Sequence, residues 1–253
     1  MRAVFLIFLT ATFTAAAANI ELTDKQAREI GKRIWQNECA GTISGLTSWN
    51  AGEEFPSMGI AHFIWYPDGY RGPFEESFPG LVRFLDSRGH KVPDWTRGAC
   101  PWPDRRAFQA DLDGPRLTAL RKFLAETVAD QAIYASIRLE NALPKMLEAA
   151  PPSEREKIRK NFYRVAREPL GLYALMDYVN FKGEGTSPSE RYNGRGWGLL
   201  QVLESMDESG PALPAFAAAA SRVLTLRTQN APPARNEKKW LPGWKNRLAT
   251  YTR

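Results

Sequence analysis

A helix with an inward-facing glutamate in its last turn is the most constraining feature of this chain. Thr23 and Gln26 stand at the two side-chain positions of a capping box, which predicts that a helix begins after Thr23. Apolar residues follow at helical spacing: Ala27, Ile30, Ile34 and Trp35. With a turn of about 100° per residue, Glu38 falls inside the arc that these side chains span. We therefore predict a glutamate partly withdrawn from water.

Two interpretations of Glu38 follow from this position. A carboxyl group shielded from water can hold a proton and donate it to a leaving group, as a general acid does. A half-buried glutamate can also be a structural residue paired with one of the arginines of the chain. The helix alone does not separate these two interpretations.

The first eighteen residues have the pattern of a secretory signal peptide. Arg2 precedes an apolar run from Ala3 to Phe13, and a tract of small residues then ends near Ala18, the expected cleavage site. The apolar run is too short to span a bilayer, and no later segment is long enough. We expect residues 19–253 to form one exported domain, periplasmic or secreted, with no membrane span after cleavage.

The charge and the two cysteines suggest partners and a disulfide. The formal net charge of +6 suits an anionic partner such as cell-wall polymer, lipid headgroups or nucleic acid, and by itself selects none of them. The basic residues are scattered among acidic ones and do not cluster with aromatic residues, so nucleic acid is not expected. In an oxidising compartment Cys39 and Cys100 are predicted to form a disulfide, the alternative being two separate buried thiols.

The order of predicted elements indicates an α+β fold that is mostly helical. Residues 57–65 are predicted to form a strand or hairpin arm, and a short helix follows over 79–85. From Pro115 onward the pattern is helical, over about 116–128, 130–149, 154–166, 169–180, 197–206, 214–227 and from 244. We expect a small β-containing lobe over about 39–70 and a helical lobe over about 75–253.

Several chemistries do not fit this sequence. It has two histidines and no cysteine or carboxylate cluster with metal-ligand spacing, so no metal is expected. It lacks a P-loop, a dinucleotide-binding fingerprint and a nucleophile elbow. We therefore expect no cofactor, and carboxylate chemistry is what remains.

The segment after Glu38 resembles part of the phage-type lysozymes. In that family the catalytic glutamate ends the first helix, and a Thr-Ile-Gly-Ile-Gly-His-like strand lines the cleft. The matching residues here run from Ser57 to His62, Ser-Met-Gly-Ile-Ala-His. Residues 242–248 are weakly similar to the Gly-Leu-x-x-Arg-Arg segment near the end of many of those enzymes. The resemblance covers about residues 23–65 and implies a lysozyme-like fold with a small hairpin sheet and a helical lobe.

The resemblance leaves the second catalytic carboxylate open. The family's aspartate has no counterpart, since Asn50 and Ala51 lie near its place. Glu53 shares strand parity with Ser57, so we favour Glu53 over Glu54 as the second carboxylate and Ser57 as a residue that holds water. Glu53 and Glu54 can instead be two solvated turn residues. His62 is predicted to be structural support.

A glycine-rich loop after residue 180 is a candidate sugar-binding surface. It is long for a simple connection, and it carries aromatic rings that could stack on a pyranose together with hydrogen-bonding groups. The alternative is an interhelical loop with a satisfied ion pair. The predicted binding residues are Asn180, Glu184, Tyr192, Trp197 and Gln201.

Together these patterns predict a glycan-cleaving enzyme that acts on peptidoglycan with Glu38 as general acid. Hydrolysis would use Glu53, or Glu184 reaching across the cleft. A lytic transglycosylase would need one acid/base residue only. Two other functions remain open: a cell-wall-binding or inhibitory protein without turnover, and a hydrolase of another polysaccharide such as chitosan.

Overall fold

The computed structural model describes residues 20–188 and 190–253, so the predicted signal peptide lies outside the described residues. Within this part of the chain every helix is too short or too polar to cross a lipid bilayer. The α-helices of the described residues are α1 (Asp24–Cys39), α2 (Phe78–Ser87), α3 (Arg105–Ala110), α4 (Pro115–Glu126), α5 (Val128–Ala149), α6 (Arg155–Ala166), α7 (Gly171–Lys182), α8 (Leu199–Ser205), α9 (Ala212–Asn230) and α10 (Leu241–Leu248).

Helix α1 forms as its sequence predicts. The Thr23 side chain accepts a hydrogen bond from the backbone N–H of Gln26, and the Gln26 side chain accepts one from the backbone N–H of Thr23, so the capping box is complete. Its buried face packs mainly along α5. The helix ends because Ala40 and Gly41 both take left-handed backbone conformations, with φ of 51° and 66°. This end fixes the direction in which Glu38 points.

A small antiparallel sheet follows α1, in the order β1 (Thr47–Ser48), β2 (Ser57–Met58) and β3 (Phe63–Ile64). Met58 pairs with Phe63, so residues 59–62 form the β2–β3 turn. The sequence predicted a strand or hairpin arm over 57–65, and the structure divides it into two short strands. Gly59 and His62 have left-handed backbone conformations, which end one strand and begin the turn to the next.

Buried Gln131 of α5 anchors the β2–β3 turn to the helical lobe. Its Oε1 accepts the Ile60 N–H at 3.0 Å, and its Nε2 donates to the Leu124 carbonyl and the Thr127 hydroxyl. A Cβ on Gly59 would lie 2.4 Å from the same Gln131 Oε1, so only glycine allows this close approach. The turn is therefore held in one place against α5.

The remaining helices form the larger lobe, in which Tyr178, Phe216 and Tyr251 are fully buried neighbours. The predicted α+β class, mostly helical with a small antiparallel sheet, is confirmed in these terms.

One β element of the structure was not predicted from the sequence. Strands β4 (Arg191–Tyr192) and β5 (Arg195–Gly196) form a second hairpin around Asn193 and Gly194, both with positive φ. An Asn-Gly pair is a strong hairpin signal that could have predicted it.

The predicted disulfide is wrong, because Cys39 and Cys100 are separate buried thiols. The Cys39 Sγ faces the Gly59 carbonyl at 3.9 Å, whereas the Cys100 Sγ faces the Trp102 carbonyl at 3.6 Å. Burial is the largest cause that raises the pKa of each thiol to about 12. Both groups therefore behave as small apolar core residues.

Candidate functional site

Glu38 points into the protein from the last turn of α1, and its side chain is 10% exposed. One carboxylate oxygen, Oε1, accepts a hydrogen bond from Nη2 of Arg247 in α10. The other, Oε2, lies 3.7 Å from Nδ1 of His62 in the β2–β3 turn. A glutamate from the first helix is thus brought between the small sheet and the last helix, and its second oxygen faces a half-exposed imidazole.

Asp177 of α7 holds Arg247 in place. Its fully buried carboxylate accepts hydrogen bonds from Nε and Nη2 of Arg247, both at 2.8 Å, and from the Tyr251 hydroxyl at 2.6 Å. Asn37, next to Glu38, donates to the same carboxylate at 3.2 Å. The two-point contact of the guanidinium is therefore with Asp177, and Glu38 receives a single contact.

The surroundings keep Arg247 charged. Burial by itself lowers the pKa of its guanidinium, but the hydrogen bonds and negative charge of Asp177 and the charge of Glu38 outweigh burial, so the pKa is raised. Burial also raises the pKa of Tyr251, with the charge of Asp177 as the next cause. Its hydroxyl therefore stays protonated and able to donate.

A cavity of about 280 Å³, here called the cleft, is lined by residues next to this group in the chain, while Glu38, His62, Asp177 and Arg247 are not part of its lining. It lies between the sheet, α5 and α7, and Ala61 on its wall directly precedes His62. Its polar lining includes Lys145, whose Nζ lies 3.8 Å from Oε2 of Glu184. Apolar and polar groups thus share a concave surface of a size that holds a small ligand or part of a polymer. Residues that form it include Ala61, Phe63, Tyr134, Arg138, Asn141, Lys145, Met176, Asn180 and Glu184.

Two of the five predicted sugar-binding residues, Asn180 and Glu184, line the cleft. The other three contact the protein itself. Tyr192 donates its hydroxyl to Glu237 at 2.9 Å, and Trp197, 7% exposed, lies under the guanidinium of Arg227. Gln201 accepts the N–H of Gly198 and donates to the Gly185 carbonyl. In this structure these three side chains hold the loop in shape.

Glu53 and Ser57 are not among the residues that line the cleft. The Glu53 carboxylate accepts a hydrogen bond from the Asn50 side chain at 3.1 Å, and its carbonyl accepts one from the Trp49 indole. Ser57 is buried, 6% exposed, on the central strand β2. The structure thus places Asn180 and Glu184 in the lining of the cleft, Glu38 beside His62 and Arg247, and Glu53 in the turn between β1 and β2.

Sequence analysis assigned no role to Arg247 and Asp177. Arg247 lies in the segment with weak similarity to the lysozyme C terminus, and Asp177 lies off the apolar stripe of α7. The available signal was a single aspartate within the otherwise uncharged, mostly apolar run of residues 171–179, because a carboxylate carried into the core needs a cationic or hydrogen-bonding partner.

Comparison with protein-family models, with curated proteins and with solved structures finds no match to this chain.

Proposed function

We propose that this protein is an exported enzyme that cleaves the glycan strands of peptidoglycan, with Glu38 as the general acid. The observation that carries the proposal is the arrangement of Glu38, nearly buried at a helix end, with one oxygen toward Arg247 and the other toward His62, which directly follows the cleft residue Ala61. The resemblance of residues 23–65 to phage-type lysozymes supports the same chemistry. Export to the periplasm or beyond is part of the proposal.

In this mechanism the carboxyl group of Glu38 delivers a proton to the glycosidic oxygen, and the bond from that oxygen to the anomeric carbon breaks. The donation leaves a carboxylate beside the Arg247 guanidinium, which stabilises the new negative charge. Asp177 contributes by orientation, because it fixes the guanidinium at two nitrogens. The positive charge that develops on the sugar is then stabilised by a nearby anion, or it is removed when an oxygen atom attacks the anomeric carbon.

Glu184 is the better placed second carboxylate. It lines the cleft, where Lys145 is its neighbour, whereas Glu53 is not part of the cleft lining. With Glu184 positioning water on the far side of the bond, the reaction is hydrolysis. If Glu184 does not position a water molecule, the sugar's own hydroxyl attacks the anomeric carbon and returns its proton to Glu38. That reaction is the one a lytic transglycosylase performs.

The first prediction is that Glu38→Gln stops cleavage of purified sacculi. Loss of proton donation should lower the rate by about 100-fold or more, because general acid catalysis typically contributes that much. Released muropeptides are separated by chromatography and identified by mass, and anhydro ends distinguish the transglycosylase from the hydrolase. Glu29→Gln, at an exposed position of the same helix, makes the same change in charge and should keep wild-type activity.

Three results would contradict the proposal. Undiminished product release from Glu38→Gln would remove Glu38 from the chemistry. Wall pelleting by the wild type without products would indicate a binding or inhibitory protein. Soluble oligosaccharides from chitosan, with none from sacculi, would indicate another polysaccharide as the substrate.

A further inference from the structure

A second cavity of about 480 Å³, here called the arginine pocket, lies beside the β4–β5 hairpin, α8 and α9. One part of its lining is apolar, formed by Ala149, Leu200, Val223 and Leu226. The polar part contains three arginines and one carboxylate: Arg191, Arg195, Arg227 and Glu204.

The arginine pocket has a surplus of positive charge. Arg227 is neutralised by Glu237, which accepts hydrogen bonds from its Nε at 2.7 Å and Nη2 at 3.0 Å. Within residues 20–188 and 190–253, the guanidiniums of Arg191 and Arg195 have no carboxylate within ion-pair distance and no hydrogen-bond acceptor. Among the described residues, the pocket thus contains two guanidiniums without an ion-pair partner and one carboxylate, that of Glu204.

The hairpin directs these two arginines to separate points. Arg191 pairs with Gly196 and Tyr192 pairs with Arg195, so Arg191 and Arg195 leave the hairpin on opposite faces. Each guanidinium can bind a carboxylate through two nitrogens. Two separated cations above an apolar floor fit a peptide with more than one carboxylate better than a single compact phosphate.

The arginine pocket and the cleft both border the C-terminal part of α5. Helix α5 contributes Lys145 to the cleft and Ala149 to the arginine pocket, a rise of about 6 Å for four residues. Gln201 lines the arginine pocket and donates to the carbonyl of Gly185, the residue after Glu184. A polymer with its sugars in the cleft can therefore carry a side group to the arginines.

We propose that the arginine pocket binds the carboxylates of a peptide attached to the glycan whose sugars occupy the cleft. The peptide as the source of the carboxylates rests on the proposed function. The anion site itself rests on the unpaired arginines and the shape of the pocket.

The test uses Glu38→Gln protein, so that bound substrate is not cleaved, and isothermal titration calorimetry. The probes are a disaccharide carrying its acidic peptide, the same disaccharide without the peptide, and inorganic phosphate. We expect the peptide to raise affinity about tenfold, equivalent to about 1.4 kcal/mol. Adding Arg191→Gln and Arg195→Gln should remove that gain and leave binding of the bare disaccharide unchanged.

Replacing Glu204 should change the affinity for the peptide-bearing probe in the opposite direction. Its carboxylate lies in the lining of the same pocket and repels an incoming carboxylate, so Glu204→Gln should tighten binding of the peptide-bearing probe several-fold. Arg28→Gln with Lys32→Gln removes two exposed positive charges of α1 and serves as the matched control. Melting temperatures of all variants establish that they remain folded.

Equal affinity for both disaccharides, loss of affinity in the α1 control as large as in the arginine variant, or a preference for phosphate would each overturn the proposal. If the proposed function is wrong but the anion site is real, the experiments give a different combination of results. In that case wild-type protein releases nothing from sacculi, while arginine-dependent binding of the peptide-bearing probe still supports the anion site.

Discussion

At the scale of single residues, the structure ties Glu38 to the rest of the protein through Arg247. The guanidinium contacts Glu38 once and Asp177 twice, and Asp177 is fully buried. One guanidinium thus serves two carboxyl groups, so removing Arg247 leaves both without their cation, and removing the Asp177 charge leaves Arg247 with its single contact to Glu38. The group stabilises the fold and orients the proposed acid at the same time.

We predict that Asp177→Asn lowers the free energy of unfolding by about 3 kcal/mol, because it leaves the guanidinium of Arg247 partly buried with weaker partners. Tyr251→Phe removes one hydrogen bond to the same carboxylate and should cost about 2 kcal/mol. Urea unfolding followed by circular dichroism measures both. An Asp177→Asn protein as stable as wild type would contradict this account of the network.

At the scale of elements, α7, α9 and α10 meet around a lysine. The Nζ of Lys182 lies 3.9 Å from the ring centre of Phe181 and 3.6 Å from that of Trp244. Aromatic faces attract a cation, whereas burial and nearby arginines oppose it. Burial is the largest cause that lowers the pKa of Lys182 to about 7, the charges of Arg227 and Arg247 act in the same direction, and Glu237 opposes them.

This lysine should make stability depend on pH. Below pH 7 Lys182 is protonated in both the folded and the unfolded protein, so the folded protein carries the full free-energy cost of burying a charged amine. Between pH 7 and the unfolded value of about 10.4 the folded protein has released a proton that the unfolded chain keeps. The contribution of Lys182 to the free energy of unfolding therefore increases as pH rises, by at most about 1.4 kcal/mol per pH unit.

We predict that Lys182→Met is more stable than wild type at pH 6 and that this advantage shrinks as the pH rises to 9. Urea unfolding of both proteins at pH 6, 7.5 and 9 tests it. Lys122→Met, at an exposed position of α4, should show a difference from wild type that stays constant across that range. An equally constant difference for Lys182→Met would show that its amine titrates near its ordinary value.

At the scale of the whole molecule, the lobes are joined without a disulfide. Cys39 ends α1, while Cys100 lies in a loop that forms an isolated bridge with Pro67 beyond the sheet. Both side chains are buried among apolar residues of one continuous core. Packing and the Gln131 contacts, rather than a covalent bond, thus connect the sheet region to the helices.

We predict that protein purified without reductant contains two free thiols per chain when titrated in denaturant. Its melting temperature should not change on addition of a reductant, since no covalent cross-link restrains the unfolded chain. Thiols that react in denaturant only after reduction, together with a lower melting temperature in reductant, would show that the two cysteines form a disulfide after all.

Local sequence determined the elements and some of their residues. The capping box and apolar spacing predicted α1, and the helices after Pro115 formed close to their predicted bounds, because caps and periodicity act within a few residues. Gly59 was read as part of a strand. Its left-handed conformation and its contact with Gln131, 72 residues along the chain, divide that segment in two.

The sequence by itself also determined that Glu38 faces inward at the end of α1, because helical geometry is local. Tertiary structure decided its neighbours, since Arg247, Asp177 and His62 come from three other segments. Tertiary structure likewise placed Glu184 in the cleft and Glu53 in a turn, and kept the thiols apart. These outcomes depend on how distant segments pack, and no pattern within a few residues encodes which buried charge meets which partner.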